Sequence, residues 1–343
     1  MSGAVATARP APARRRPWRD PRRLALAVTI ALFVAMSAAG GVLYEGFLSP
    51  QVFLNLFIDN AFLLVVAVGM TFVILTGGID LSVGAVIAFS TVLLAALVER
   101  HGWHPLPAIA AVLALGTGFG ALMGTLIQRY RLQPFVVTLA GMFLARGVAT
   151  LVSVDSIDIA HPFHVAVANW RLPLGGGASL SAGALVALAV VAAGAMLAGM
   201  TRFGRSVYAI GGSEHSAVLM GLPVAATVVR VYALSGFCSA LAGVLYTFYM
   251  LSGYSLHASG LELDAIAAVV IGGTLLAGGQ GYVIGTVFGV LILGLIQTLI
   301  AFDGTLSSWW TKIAIGALLL VFCLLQRLLA RLPARAGGRP GGA

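Results

Sequence analysis

The carboxylate best placed to do chemistry is Asp80. It lies in GMTFVILTGGIDLSVGAVIAFS, residues 69–90, an apolar run broken by Gly77, Gly78 and Gly84. A carboxylate there can accept the orphan N–H groups of a starting helix and complement its dipole. Asp80 is therefore expected to cap the helix that follows, at a reversal on the inner side of a membrane where a gate or an ATPase could act. The other ten acids also fall outside the middles of the apolar segments. Ion-coupled carriers keep an ionisable group within the membrane, so this distribution argues against one. The single lysine, Lys312, belongs to no G-x-x-x-x-G-K-[ST] motif, so ATP hydrolysis would need another subunit. His161 and His164, in the outer loop, have H-x-x-H spacing without an accompanying acidic ligand and read as surface loop histidines. His101, His104, His215 and His257 read as loop or interfacial. Cys238 and Cys323 lie in apolar segments, which leaves no disulfide framework. No catalytic residue, cofactor or metal ligand is expected.

The elements that must position Asp80 are set by composition. Of 343 residues, 60% are hydrophobic and 9% charged, against about 25% charged in a soluble domain. The expectation is an all-α integral membrane protein. Ten apolar segments suit spans of about 20 residues: 24–45, 53–76, 82–98, 106–128, 134–153, 179–200, 230–251, 263–277, 282–301 and 308–326. The eighth is short enough to be broken or re-entrant. With both termini inside, 16 of the 20 basic residues fall on the inner side, as positive-inside bias requires. The net charge of +9 thus reflects orientation and anionic lipid rather than nucleic acid. Residues 1–23 form a basic leader expected to be disordered, 24–328 the membrane domain, and 329–343 a basic tail.

A second glycine-interrupted segment repeats the first. LTGGIDLSVGAV, residues 75–86, aligns without gaps to LAGGQGYVIGTV, residues 276–287, so Gly77, Gly78 and Gly84 match Gly278, Gly279 and Gly285. Paired interrupted segments point to a transport pathway. Arg146 and the polar groups Asn55, Asn60, Thr71, Thr138, Thr274 and Gln297 are expected to face protein or a wet path, because lipid would leave them unpaired. Trp309 and Trp310 open the last span at the outer face as an interfacial belt, or as a contact for a solute or a partner. In the inner segment 201–224, Ser213 is a cap for EHSAVLMG, Glu214 suits the first turn, and Gly221 with Pro223 stops it. Such a short exposed helix can seat in a partner's groove.

Glu214, Ala217 and Gly221 resemble the E-x-x-A-x-x-x-G loop of bacterial ATP-binding cassette importer permeases. Residues 69–90, TLAGMFLARGV (138–148) and ELDAIAAVVIGGTLLAGG (262–279) are similar to the ribose-type sugar permeases, over about residues 50 to 328. QTLIAFDGTLSSWWTKIAIG (297–316) and VSVDSIDIAHP (152–162) resemble more closely one permease of the bacterial galactofuranose importer. The resemblance implies a multi-pass inner-membrane subunit. It also implies a cytoplasmic ATPase that contacts Ser213 to Pro223, a periplasmic sugar-binding protein and a second permease, a heterodimer being favoured. Ribose, xylose, another small solute, or a different class such as a carrier or channel are the alternatives.

Overall fold

The computed structural model describes residues 21–307 and 309–331. Its elements are α1 (Pro21–Leu43), α2 (Pro50–Asp59), α3 (Ala61–Leu75), α4 (Val83–Ala95, continued by a π-turn to Arg100), α5 (Pro105–Tyr130), α6 (Pro134–Val152) and α7 (Pro162–Asn169). They are followed by α8 (Ala182–Met200), α9 (Arg202–Gly212), α10 (Glu214–Leu219), α11 (Val224–Met250), α12 (Leu261–Ile271), α13 (Val283–Asp303) and α14 (Trp309–Arg331). Strands are confined to connections: Ile157–Asp158 pairs with Ser252–Gly253, and Arg171–Gly175 forms a hairpin with Ala178–Ser181. The all-α membrane architecture holds. Helix α1 begins at Pro21, inside the segment read as leader; the rest of that leader and the tail from 332 lie outside the described residues.

Among the described residues, eight helices are long and apolar enough to cross a membrane, or nine if α2 and α3 form one span bent by 59°. The bend falls at Asn60, whose side-chain amide donates to Leu56 O at 3.0 Å. Helix α3 is buried on every side from Leu63 to Leu75, which its near-continuous apolar sequence permits. Helix α11 is the other central column. It meets α5 through small residues: a Cβ on Gly120 would overlap the Tyr232 carbonyl, so backbone packs on backbone.

The eighth span is broken, as its shortness suggests. Helix α12 has 11 residues, about 16 Å of rise, and cannot cross a core of about 30 Å alone. After α11 ends at Met250, Gly253 lies against Thr91 and Ala95 of α4, and Ala258 O with Glu262 faces Gly84. The chain thus descends alongside α4 without helix, from the level of Ala95 to that of Gly84, before α12 begins. At the far end of α12, Gly272 packs on the backbone of Gly285. Irregular backbone at such depth is tolerated only when buried and supplied with partners. Arg146 supplies them: its Nη1 donates to Ser255 O at 2.7 Å and His257 O at 2.8 Å.

Candidate functional site

Helix α3 ends at Leu75, and Gly77 takes φ +81°, a left-handed angle that a Cβ disfavours. Residues 76–82 then run without helix to α4. Asp80 does not cap α4. Ser82 holds the N-cap position and makes no side-chain cap bond. The Asp80 carboxylate instead accepts from Ser82 N at 2.9 Å and Ser82 Oγ at 2.6 Å on Oδ1, and from Ser235 Oγ at 2.7 Å on Oδ2. It is 2% exposed. Ser235 lies eleven residues into the 27-residue α11, about 16 Å from its start, so the carboxylate is held deep in the bundle rather than at a surface reversal. The expectation that every acid avoids the interior of the membrane domain is corrected with it. Sequence position placed Asp80 between spans; the unwound segment carries it inward.

The neighbouring carbonyl is also provided for. Ile79 O accepts from the Tyr232 hydroxyl at 3.3 Å, with the Thr138 hydroxyl another 3.3 Å away. Gly78 leaves the space that Tyr232 fills. Ser82, Tyr232 and Ser235 were not singled out in the sequence; the available signal was two polar groups one helical turn apart in the apolar VYALSGFCS.

The two matched glycine turns meet. Gly279 N donates to Leu75 O at 2.9 Å, and a Cβ on Gly278 would come within 2.7 Å of Gly77 N. Gly211, near the end of α9, closes the same junction: a Cβ there would overlap Leu75 O and Gly279 N. Tyr208 of α9 donates to Gly281 O at 2.9 Å. Gly84 and Gly285 are both tight against backbone carbonyls, of Ala258 and Gly272.

The segment read as an inner loop is two helices. Ser213 Oγ accepts from Ser216 N at 3.2 Å, the expected cap for α10, and Glu214 occupies its first turn. The end is a Schellman turn, with Leu222 N bonded to Ala217 O at 3.1 Å, Gly221 N to Val218 O at 2.9 Å, and Gly221 at φ +73°. Pro223 starts α11 as its N-cap residue. Ala217 is buried, while Val218, Leu219 and Met220 are exposed.

The polar span groups divide. Thr71 Oγ1 lies 2.8 Å from Thr286 Oγ1, tying α3 to α13, and Asn60 and Thr138 are likewise buried and bonded. Thr274 is buried with its hydroxyl unpartnered among the described residues. Asn55 and Gln297 are exposed, the former bonded to Gln51.

Residues 52–323 match the family described as the permease component of branched-chain amino acid transport systems. The chain is 54% identical to the inner membrane ABC transporter permease protein YjfF of Escherichia coli, over 89% of this chain and 92% of that one. It is 40% identical to the fructose import permease protein FruG of Bifidobacterium longum, over 90% and 92%. With the ribose import permease protein RbsC of Bacillus subtilis the identity is 39%, over 83% and 88%. No solved structure matches.

Proposed function

From a chain that belongs to the family of branched-chain amino acid transport system permease components, we propose a pathway-forming subunit of an ATP-driven importer whose cargo is galactofuranose. The chain is a multi-pass inner-membrane permease; hydrolysis belongs to a separate ATPase, and a binding protein delivers the cargo. Residues 152–162 and 297–316 support the galactofuranose reading by their resemblance to that importer's permease. Relatives named for fructose and ribose support a second reading, the same machine with one of those sugars.

The observation that carries the reading is the joint between α10 and the glycine turns. Helix α10 presents Val218, Leu219 and Met220 outward, a face suited to an ATPase groove. Helix α9 transmits its position by backbone contact, through Gly211, to the ends of α3 and the turn before α13. Closure of the ATPase pair would thereby shift the segments that flank Asp80 and alternate access. A second permease, different in sequence from this one, completes the pathway, with both chains oriented so that α9 and α10 face the cytoplasm.

The test is uptake by proteoliposomes holding both permeases, the ATPase and the binding protein. Galactofuranose should accumulate only with ATP, and excess ribose or fructose should compete poorly. Sugar counterflow driven by an ion gradient through this chain alone would overturn the importer reading.

A further inference from the structure

Lys312 and Asp264 form an ion pair between α14 and α12, with Nζ 2.9 and 2.7 Å from the two carboxylate oxygens. Asp264 is 13% exposed and Lys312 54%. An ammonium this open, within a candidate span, cannot face hydrocarbon cheaply, and such groups by default line a wet cavity or a protein contact. An open cleft of about 520 Å³ lies beside it, between the second half of α13 and the start of α14. Ile300, Leu306 and the Trp309 indole give it apolar walls, and Gln297, Thr311 and Lys312 give it polar points. The volume lies in the range of small-ligand sites, and apolar walls with a few directed polar groups are their usual make-up.

The chemistry selects a ligand class. Asp264 neutralises Lys312, so the cleft offers no net charge to an anion or a cation. Two of the three ammonium donors are engaged and one remains. The Gln297 amide adds donors and an acceptor, and Thr311 adds a hydroxyl. A flat indole beside such groups suits a neutral polyhydroxylated ring, with its C–H face on the tryptophan and its hydroxyls on the amide and ammonium. We propose that this cleft contacts the sugar on the translocation pathway, and that Gln297, Trp309 and Lys312 set which sugar passes. The inference rests on the importer reading and deepens it.

The test uses the complete reconstituted importer. Trp309→Ala and Lys312→Gln should each lower kcat/KM for galactofuranose uptake about tenfold or more, while binding-protein-stimulated ATP turnover stays near wild type. Trp309→Phe should restore most uptake, and discrimination against ribose should narrow in Lys312→Gln. The exchange Asp264→Lys with Lys312→Asp separates the roles: restored assembly with poor uptake supports sugar contact, whereas fully restored uptake overturns it in favour of a purely structural pair. A fourth measurement is independent of these changes. Ala301→Cys alters an exposed residue of the cleft wall that makes no proposed sugar contact, and saturating galactofuranose should slow its reaction with a hydrophilic thiol reagent. Equal labelling with and without sugar would overturn the proposal, as would wild-type uptake and selectivity in both Trp309→Ala and Lys312→Gln. Absence of ATP-dependent uptake by the wild type would instead overturn the importer reading.

Discussion

Ser235 holds Asp80 by a 2.7 Å hydrogen bond that joins residues 155 apart in the chain, and it fixes a carboxylate deep inside a membrane domain. All three bonds to that carboxylate come from donors that have no water to turn to. Hydrogen bonds to a charged group contribute about 1.5–3 kcal/mol each, and a buried donor left unpaired costs about 1–3 kcal/mol. Asp80→Leu should therefore destabilise by several kcal/mol and prevent recovery of a folded chain. Asp80→Asn keeps an acceptor for Ser82 and lets the Ser235 hydroxyl rotate to accept, so it should fold with a loss of about 1–3 kcal/mol. Thermal unfolding in detergent checks both. An Asn variant that folds as well as wild type yet fails to transport would mean that the charge itself enters the cycle.

The junction of the two glycine turns gives a sharper stability prediction. Gly211 touches Leu75 O and Gly279 N, both backbone atoms that cannot rotate aside. Gly211→Ala should cost about 1–3 kcal/mol, as overpacking does, and should separate α9 from α3. Gly212, its neighbour, has open space at its Cβ, so Gly212→Ala is the matched control. The readout is the difference in melting temperature between the two variants and in ATP turnover coupled to uptake. Equal behaviour would show that α9 does not bear on the turns.

What the sequence made legible was local. Ser213, Glu214 and Gly221 are read correctly because a cap, a first-turn acid and a left-handed C-terminal glycine act within a few residues of one another. Depth is not local. Hydropathy, which counts residues along the chain, sets Asp80 at a reversal between spans, whereas its level is fixed by contact with Ser235 in α11. The eighth span shows the local signal again: residues 263–277 are too short for a full crossing and read as broken, and Gly272 and Gly273 do end α12 after 11 residues. Arg146 was singled out correctly as a span cation. Its partners, the carbonyls of Ser255 and His257, carry no side-chain signal and so could not be named.

His164 predicts a pH dependence at the α7 end. The sequence places this imidazole on a surface loop, but it lies in α7 and is fully buried against Phe163 and Phe248, and neither ring nitrogen has a partner among the described residues. Burial first, then the charge of His161, push its pKa down to about 4, against a smaller opposing pull from Glu99. Below about pH 6.5 the detached imidazole takes up a proton that the packed one refuses, so the docking of α7 weakens as pH falls from 6.5 to 4. Above 6.5 both forms are neutral and docking is independent of pH. Amide protection in residues 162–169, taken as exchange relative to the intrinsic rate at each pH, should fall between pH 7 and pH 5 in wild type and much less in His164→Leu. An equal fall in both would place the titrating group elsewhere.

Helix α10 carries the last prediction. Six residues make too short a helix to persist without its caps, and each end here is closed by one identifiable group. Ser213→Ala removes the acceptor for Ser216 N and should cost about 1 kcal/mol. Gly221→Val forces a β-branched residue to φ +73°, and the Schellman turn should open. No other group lies within 4 Å of a Cβ at Gly221, so the loss comes from the backbone angle alone. Both changes lie outside the candidate spans, and the chain should insert normally. Glu214→Arg reverses the charge at the first turn without touching either cap. All three variants should lower co-purification of the ATPase and binding-protein-stimulated ATP turnover, with Gly221→Val the most severe and Ser213→Ala the mildest. The order matters. If α10 docks as a preformed helix, loss of binding should track loss of its caps. Full co-purification with wild-type stimulated turnover in Gly221→Val and Glu214→Arg would show that the ATPase seats elsewhere.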